Sequence, residues 1–239
     1  MDYRLQLLER HLFIELPEGL TLIDTGAPFS ASVTGRLNWD GAEHPVYRGG
    51  YLGFTFTQLK SELGLEVRGL LGMDLLSRRS LHFSLAGEKL RVGSPLPSGW
   101  TARGYGTIPG TELPLFAARL NGLAAKVAWD TGAQFGYVTD PRFAAGLKPL
   151  PGFHDFSPLF GDLDPATSFE LPVELDGHAF AEHVAAAPET DHGGVSPIPM
   201  GPYLRFARID AVLGPGLLRT ADLWIDPAGR LSALRPLTS

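Results

Sequence analysis

The tetrapeptide Asp-Thr-Gly-Ala occurs twice in this 239-residue chain, at Asp24 to Ala27 and at Asp130 to Ala133, each time at the end of an apolar run of β character. In a sequence this rich in Gly and Ala, two chance copies have odds on the order of one in ten thousand. The surroundings repeat as well. Leu20, Leu22 and Ile23 precede the first copy, and Leu123, Val127, Ala128 and Trp129 precede the second, so both aspartates are expected where a buried strand ends. Downstream, Leu-Gly-x-x-Leu-Leu stands at Leu71 to Leu76 and again at Leu213 to Leu218. A strand, a Gly turn and a second strand follow each: Leu81 to Leu85, Gly87 and Leu90 to Val92, then Leu223 to Ile225, Gly229 and Leu231 to Leu234. Gly87 lies 15 positions after Gly72, and Gly229 lies 15 after Gly214, so the halves keep register there. Such a repeat predicts two similar β units related by an approximate twofold axis.

Two carboxylates brought together cannot both ionise cheaply. One keeps its proton near neutral pH, and the pair then offers a base and an acid at once. That combination is what water needs to attack a peptide carbonyl without a metal or a nucleophilic side chain. Asp24 and Asp130 are therefore the expected catalytic pair, with the water held between them. Gly26 and Gly132 let the backbone turn tightly and approach the carboxylates. Thr25 and Thr131 each offer a hydroxyl to the opposite loop, and with Ala27 and Ala133 these residues form the loop-positioning set.

The two loops, together with the apolar-apolar-Gly segments Leu70-Leu71-Gly72 and Val212-Leu213-Gly214, resemble those of aspartic peptidases of retroviral type, in a bacterial form that fuses both lobes in one chain as pepsin-like enzymes do. The resemblance covers about residues 11 to 92 and 111 to 235. It implies an all-β, two-lobed aspartic-peptidase fold with an internal pseudo-twofold repeat, and metal-independent hydrolysis of peptide bonds with no cofactor. The implied partner is a peptide or an unfolded protein, and a monomer is expected because one chain supplies both aspartates. A non-catalytic peptide-binding or scaffold protein on the same fold is the alternative.

The chain also departs from that family. Retroviral-type enzymes place an Asp after the tetrapeptide, where this sequence has Pro28 and Gln134. Pepsin-like enzymes carry a hydroxyl residue where Ala27 and Ala133 stand, so the pair here is expected to keep its shared proton to higher pH. Active members cover the dyad with a hairpin flap. Gly49, Gly50 and Tyr51 are the candidate tip, with His192, Gly193 and Gly194 a weaker candidate in the second half. A competing alignment matches Trp39, Asp40 and Gly41 to Leu175, Asp176 and Gly177 as one hairpin turn in both halves.

Composition narrows the remaining classes. The absence of cysteine excludes disulfides, thiolate metal sites and Cys nucleophiles. A formal charge of −6, with no basic cluster larger than Arg78 and Arg79, predicts no nucleic-acid partner. Charged residues interrupt Met1 to Arg10 and no later run approaches membrane-spanning length, so no membrane association and a cytoplasmic location are expected. Lobes are expected over residues 1–95 and 111–239, joined by a linker at 96–110 within the Pro- and Gly-rich stretch Gly93 to Thr111. Brief helices are expected at Gln58 to Leu63 and after each Leu-Gly-x-x-Leu-Leu motif. The second half is longer, with 84 positions from Asp130 to Gly214 against 48 from Asp24 to Gly72. Most of the surplus falls in Pro188 to Arg208, which reads as irregular, either a surface excursion or a substrate-side loop. His178 and His183, near Glu182, lack the spacing of a zinc hydrolase and read as structural. Phe54, Phe56, Trp129 and Phe135 read as core.

Overall fold

Each half winds the same strand exchange around its Asp-Thr-Gly-Ala loop. The computed structural model describes residues 1–108 and 111–237, so Pro109 and Gly110 of the expected linker lie outside the described residues. In the first half, strands Asp2–Leu8, His11–Leu16 and Gly19–Ile23 form an antiparallel meander. The chain leaves it at Asp24 and returns as Gly69–Leu71, which inserts between Gly19–Ile23, to which it is parallel, and Ala31–Ser32, to which it is antiparallel. In the second half, Ala211–Leu213 inserts in the same sense between Leu123–Trp129 and Gly136–Val138. Leu71 stands opposite Ile23, and Leu213 stands opposite Trp129. Gly69–Leu71 is buried along its whole length and Ala211–Leu213 nearly so, which explains why these segments are apolar without alternation.

The Gly of each Leu-Gly motif has a steric cause. A Cβ at Gly72 would lie 2.8 Å from the Ala27 carbonyl oxygen, and one at Gly214 would lie 2.8 Å from that of Ala133. The inserted strand thus ends hard against the loop that carries the aspartate, and any side chain would push the two apart.

The closing strand pairs join the halves. Leu81–Ser84 pairs with Lys89–Val92, and Ala221–Asp226 pairs with Leu231–Pro236. Leu81–Ser84 and Ala221–Asp226 then pair antiparallel with each other, Leu81 opposite Ile225, His82 opposite Trp224 and Phe83 opposite Leu223. His82 and Trp224 each follow their motif glycine by 10 positions, so equivalent residues face each other and the pseudo-twofold axis passes between them. The strand pair at the end of the second half thereby extends the sheet of the first. Beneath it lies one continuous core, in which Leu5, Phe83, Trp129, Leu171 and Leu223 are buried together.

The linker is stitched to both sides. Arg103–Gly104 pairs with Leu231–Ser232, Gly106–Thr107 pairs with Pro114–Leu115, and Tyr105 between them is buried. The first helix spans Phe56–Leu63, two residues more than the sequence predicts, because Thr55 caps it. The Thr55 hydroxyl accepts from the Gln58 N–H, and the Gln58 side chain accepts from the Thr55 N–H. Met73–Leu76 and a 3₁₀ turn at Pro215–Arg219 follow the two motifs. The stretch read as irregular, Pro188 to Arg208, contains a helix at Met200–Phe206. Gly201 and Pro202 concealed it, yet both sit in the first turn, where backbone N–H groups need no intrahelical partner. No helix among the described residues is long and apolar enough to cross a membrane.

Candidate active site

Each aspartate is fixed first by its backbone. The Asp24 N–H donates to the Leu71 carbonyl and the Asp130 N–H to the Leu213 carbonyl, both at 2.9 Å. The loops then lock to one another. Thr25 Oγ1 donates to the Trp129 carbonyl at 2.7 Å and accepts from the Thr131 N–H at 3.0 Å. Thr131 Oγ1 mirrors this, donating to the Ile23 carbonyl at 2.7 Å and accepting from the Thr25 N–H at 3.0 Å. Both threonines are fully buried, so the four bonds are made away from water.

The carboxyls rest on the glycines. The N–H groups of Gly26 and Ala27 donate to Asp24 Oδ1 at 2.9 and 2.8 Å, and the Gly132 N–H donates to Asp130 Oδ1 at 2.9 Å. A Cβ at Gly26 would lie 2.1 Å from Asp130 Oδ2, and one at Gly132 would lie 2.4 Å from Asp24 Cγ. Each carboxyl therefore lies across the glycine of the other loop, which brings the two side chains within reach of a shared proton. Burial and the facing charge of Asp130 hold the Asp24 carboxyl well above the usual carboxylate range. Burial raises Asp130 as well, against the N–H groups, which favour its charged form. The two carboxyls thus titrate as one unit that keeps a shared proton above the usual carboxylate range. Both keep part of their surface open to the cleft.

Two cavities flank the pair. The roomier, about 330 Å³, has a mostly apolar wall that includes Leu163, Met200, Leu204 and Val212. The smaller, about 80 Å³, is lined by His11, Leu22, Phe56 and Leu70. Helix Met200–Phe206 thus puts the second-half surplus on the cleft side.

Tyr51 lines both cavities, and burial together with the charges of Asp24 and Asp130 pushes its phenol up. It belongs to a short hairpin, Gly50–Tyr51 paired with Phe54–Thr55, that turns at Leu52 and Gly53. Gly49 adopts φ 86°, and a Cβ at Gly50 would lie 2.3 Å from the Phe54 carbonyl oxygen. The competing alignment is realised too. Asp40-Gly41 and Asp176-Gly177 both turn hairpins with positive φ, at 50° and 79° and at 51° and 80°. The first half holds both hairpins, one after the other.

Sequence reasoning missed a second hairpin at the cleft. Asp155–Ser157 and Gly161–Leu163 form a hairpin whose Phe156 stacks on Phe54 at 4.0 Å between ring centroids, so Phe54 is a cleft residue and not core. His192–Gly194 lies behind this hairpin: the Asp162 N–H donates to the His192 carbonyl at 3.3 Å. Alternating Phe156, Pro158 and Phe160 around a Pro turn was the available signal. Asp155 is also new. It is buried, lines both cavities, accepts from the Tyr137 hydroxyl at 2.8 Å, and is pushed up to about 6 by burial. His178 and His183 bond to Thr220 and Ser168 at 2.9 and 2.8 Å, and among the described residues no three His, Cys, Asp or Glu side chains converge as a metal site.

No protein-family model and no curated protein sequence matches the chain. Among solved structures it is similar to the aspartic proteinase from Irpex lacteus, with a TM-score of 0.54 and 9% identity, over 100% of this chain and 97% of that one. The fold is all-β and that of a two-lobed aspartic proteinase.

Proposed function

We propose that the chain is a single-chain aspartic endopeptidase of retropepsin-like kind, acting on peptides or unfolded protein as a cytoplasmic monomer without metal or cofactor. The observation that carries this reading is the convergence of the Asp24 and Asp130 carboxyls, each lying across the glycine of the other's loop and held by backbone N–H groups of its own. In the reaction, water lies between the carboxyls. Charged Asp130 takes one of its protons while the oxygen attacks the peptide carbonyl, and Asp24 gives its proton to the carbonyl oxygen. The resulting gem-diol is neutral. Asp24, now charged, takes a hydroxyl proton back as Asp130 passes its own to the leaving nitrogen, so the C–N bond breaks and the dyad returns to its starting state. Tyr51 and Phe156 line both cavities and would limit access of bulk water.

The test is cleavage of an unfolded protein by the wild type and by Asp24→Asn and Asp130→Asn, read by mass spectrometry between pH 3 and 8. Each substitution removes half of an acid–base unit and is expected to abolish cleavage with the fold retained. Binding of peptides with no wild-type cleavage would replace this reading with the binding-protein alternative.

A further inference from the structure

Beside the cleft lies a third pocket, about 110 Å³, whose wall includes Arg10, Gln134, Glu170, Glu182, His183 and Arg219. Gln134 also lines the smaller dyad cavity, as does His11, the neighbour of Arg10. An extended chain running from the dyad past Gln134 therefore arrives at Arg10.

Glu182 is only 5% exposed, and its Oε2 has no hydrogen-bond partner. The backbone is cut away for it, since a Cβ at Gly216 would lie 2.3 Å from that oxygen. Comparing the halves shows what is missing. In the first half, Asp74 two residues after the motif glycine accepts from the Ser30 hydroxyl at 2.6 Å. The equivalent positions in the second half are Gly216 and Gly136, and the carboxyl comes instead from Glu182 of strand His178–Ala186. No hydroxyl meets it. A buried polar atom left without a partner is costly, and a bound group would offset that cost.

The guanidiniums are unpaired as well. Among the described residues, Arg219 makes no side-chain hydrogen bond or ion pair. Arg10 stacks over Phe135 at 4.7 Å and touches His183 Nδ1 at 3.5 Å, but meets no carboxylate. From the pocket's geometry we infer that it is a terminal subsite of the cleft that binds a substrate carboxylate, either a C-terminal α-carboxylate or an acidic side chain. Arg10 and Arg219 supply charge and donors, and the Glu182 carboxyl supplies one more hydrogen bond. Burial pushes Glu182 up to about 7 despite Arg10 and Arg219, and Glu170 adds to the rise, so near neutrality Glu182 retains a proton to donate. Burial and Arg10 hold His183 low, hence neutral, so it adds no charge beside the two guanidiniums of the wall.

The inference rests on the peptide-cleft reading but is tested by binding as well as turnover. The probes are fluorescent hexapeptides with an apolar centre, identical except for a C-terminal carboxylate or carboxamide, and a third with Glu in place of Gln beside a C-terminal amide. Affinity is measured by anisotropy on Asp130→Asn, and kcat/KM on the wild type. The carboxylate peptide should bind at least about tenfold tighter than its amide, and the difference should vanish in Arg10→Gln with Arg219→Gln. Arg219→Gln alone, at an exposed residue with no bonds to lose, should remove part of it with the melting temperature unchanged. A preference for the Glu peptide instead identifies the acidic side chain as the source. A carboxylate preference in binding without wild-type cleavage keeps the subsite and removes the peptidase reading. Cleavage with equal affinities, failure of all the probes to bind, or affinity that depends on a free N-terminal amine overturns the subsite.

Discussion

Replacing Thr25 with Val removes one hydroxyl and leaves the side chain's shape nearly intact. The change deletes two buried hydrogen bonds, to the Trp129 carbonyl and from the Thr131 N–H. Both backbone groups then remain in the interior, where an unpartnered polar group costs about 1–3 kcal/mol. Two such groups, less a small gain from the added methyl, give about 3 kcal/mol, which for a chain of this size lowers the melting temperature by roughly 6–12 °C. Thr131→Val should cost the same, because the bonds are mirrored. Thr21→Val is the control. Thr21 is equally buried but donates only to the carbonyl of Gly19, two residues away, at 3.0 Å, so its loss should cost about 1 kcal/mol. Urea unfolding followed by circular dichroism measures all three, and kcat/KM should fall with the Thr25 change because the loops that aim the carboxyls loosen. If Thr25→Val costs no more than Thr21→Val, the four bonds do not clamp the halves and the reasoning fails.

Two further outcomes follow from the dyad's protonation. Because both carboxyls are raised above the range of an unfolded chain, near 3.9 for Asp, the native state binds more protons, and stability is lost as pH rises from about 4 through the folded values. Asp24→Asn keeps the oxygen that accepts from Gly26 and Ala27 and removes the repulsion, so its melting temperature should exceed the wild type's by a margin that grows from pH 4 to 7; a constant margin would show that the pair is not coupled. Ala27→Ser with Ala133→Ser adds a hydroxyl donor to each carboxylate, favours the charged forms, and should shift the acid limb of the kcat/KM profile to lower pH, whereas an unmoved profile would show that the alanines do not set it.

The fold was legible because each step from sequence to strand exchange is short. Asp24 follows its own strand directly, and the partner strand announces itself as Leu-Leu-Gly, since only a glycine lets it end against the loop. The repeat then supplied what one copy cannot, the symmetry that puts His82 opposite Trp224. Where the two copies diverge, this logic lost its grip. Helix Met200–Phe206 has no counterpart in the first half, and its Gly and Pro mimic a loop when their position in the first turn is unknown.

The cleft's own walls were less legible because they are made by contacts between copies of different length. Tyr137 and Asp155 are 18 residues apart, and Phe54 and Phe156 come from opposite halves, so no local pattern links either pair. Glu182 shows the same effect most clearly. On a strand that alternates between buried and exposed positions, Glu182 falls on a buried one, where a carboxylate has no evident reason to be. Its reason lies in the other copy of the repeat. Ser30 and Asp74 fill in the first half the space that Gly136 and Gly216 leave open in the second, and Glu182 enters that space without the hydroxyl that Ser30 gives Asp74. A repeat constrains backbone before side chains, so the positions where its copies exchange small residues for polar ones are where one half gains chemistry that the other lacks.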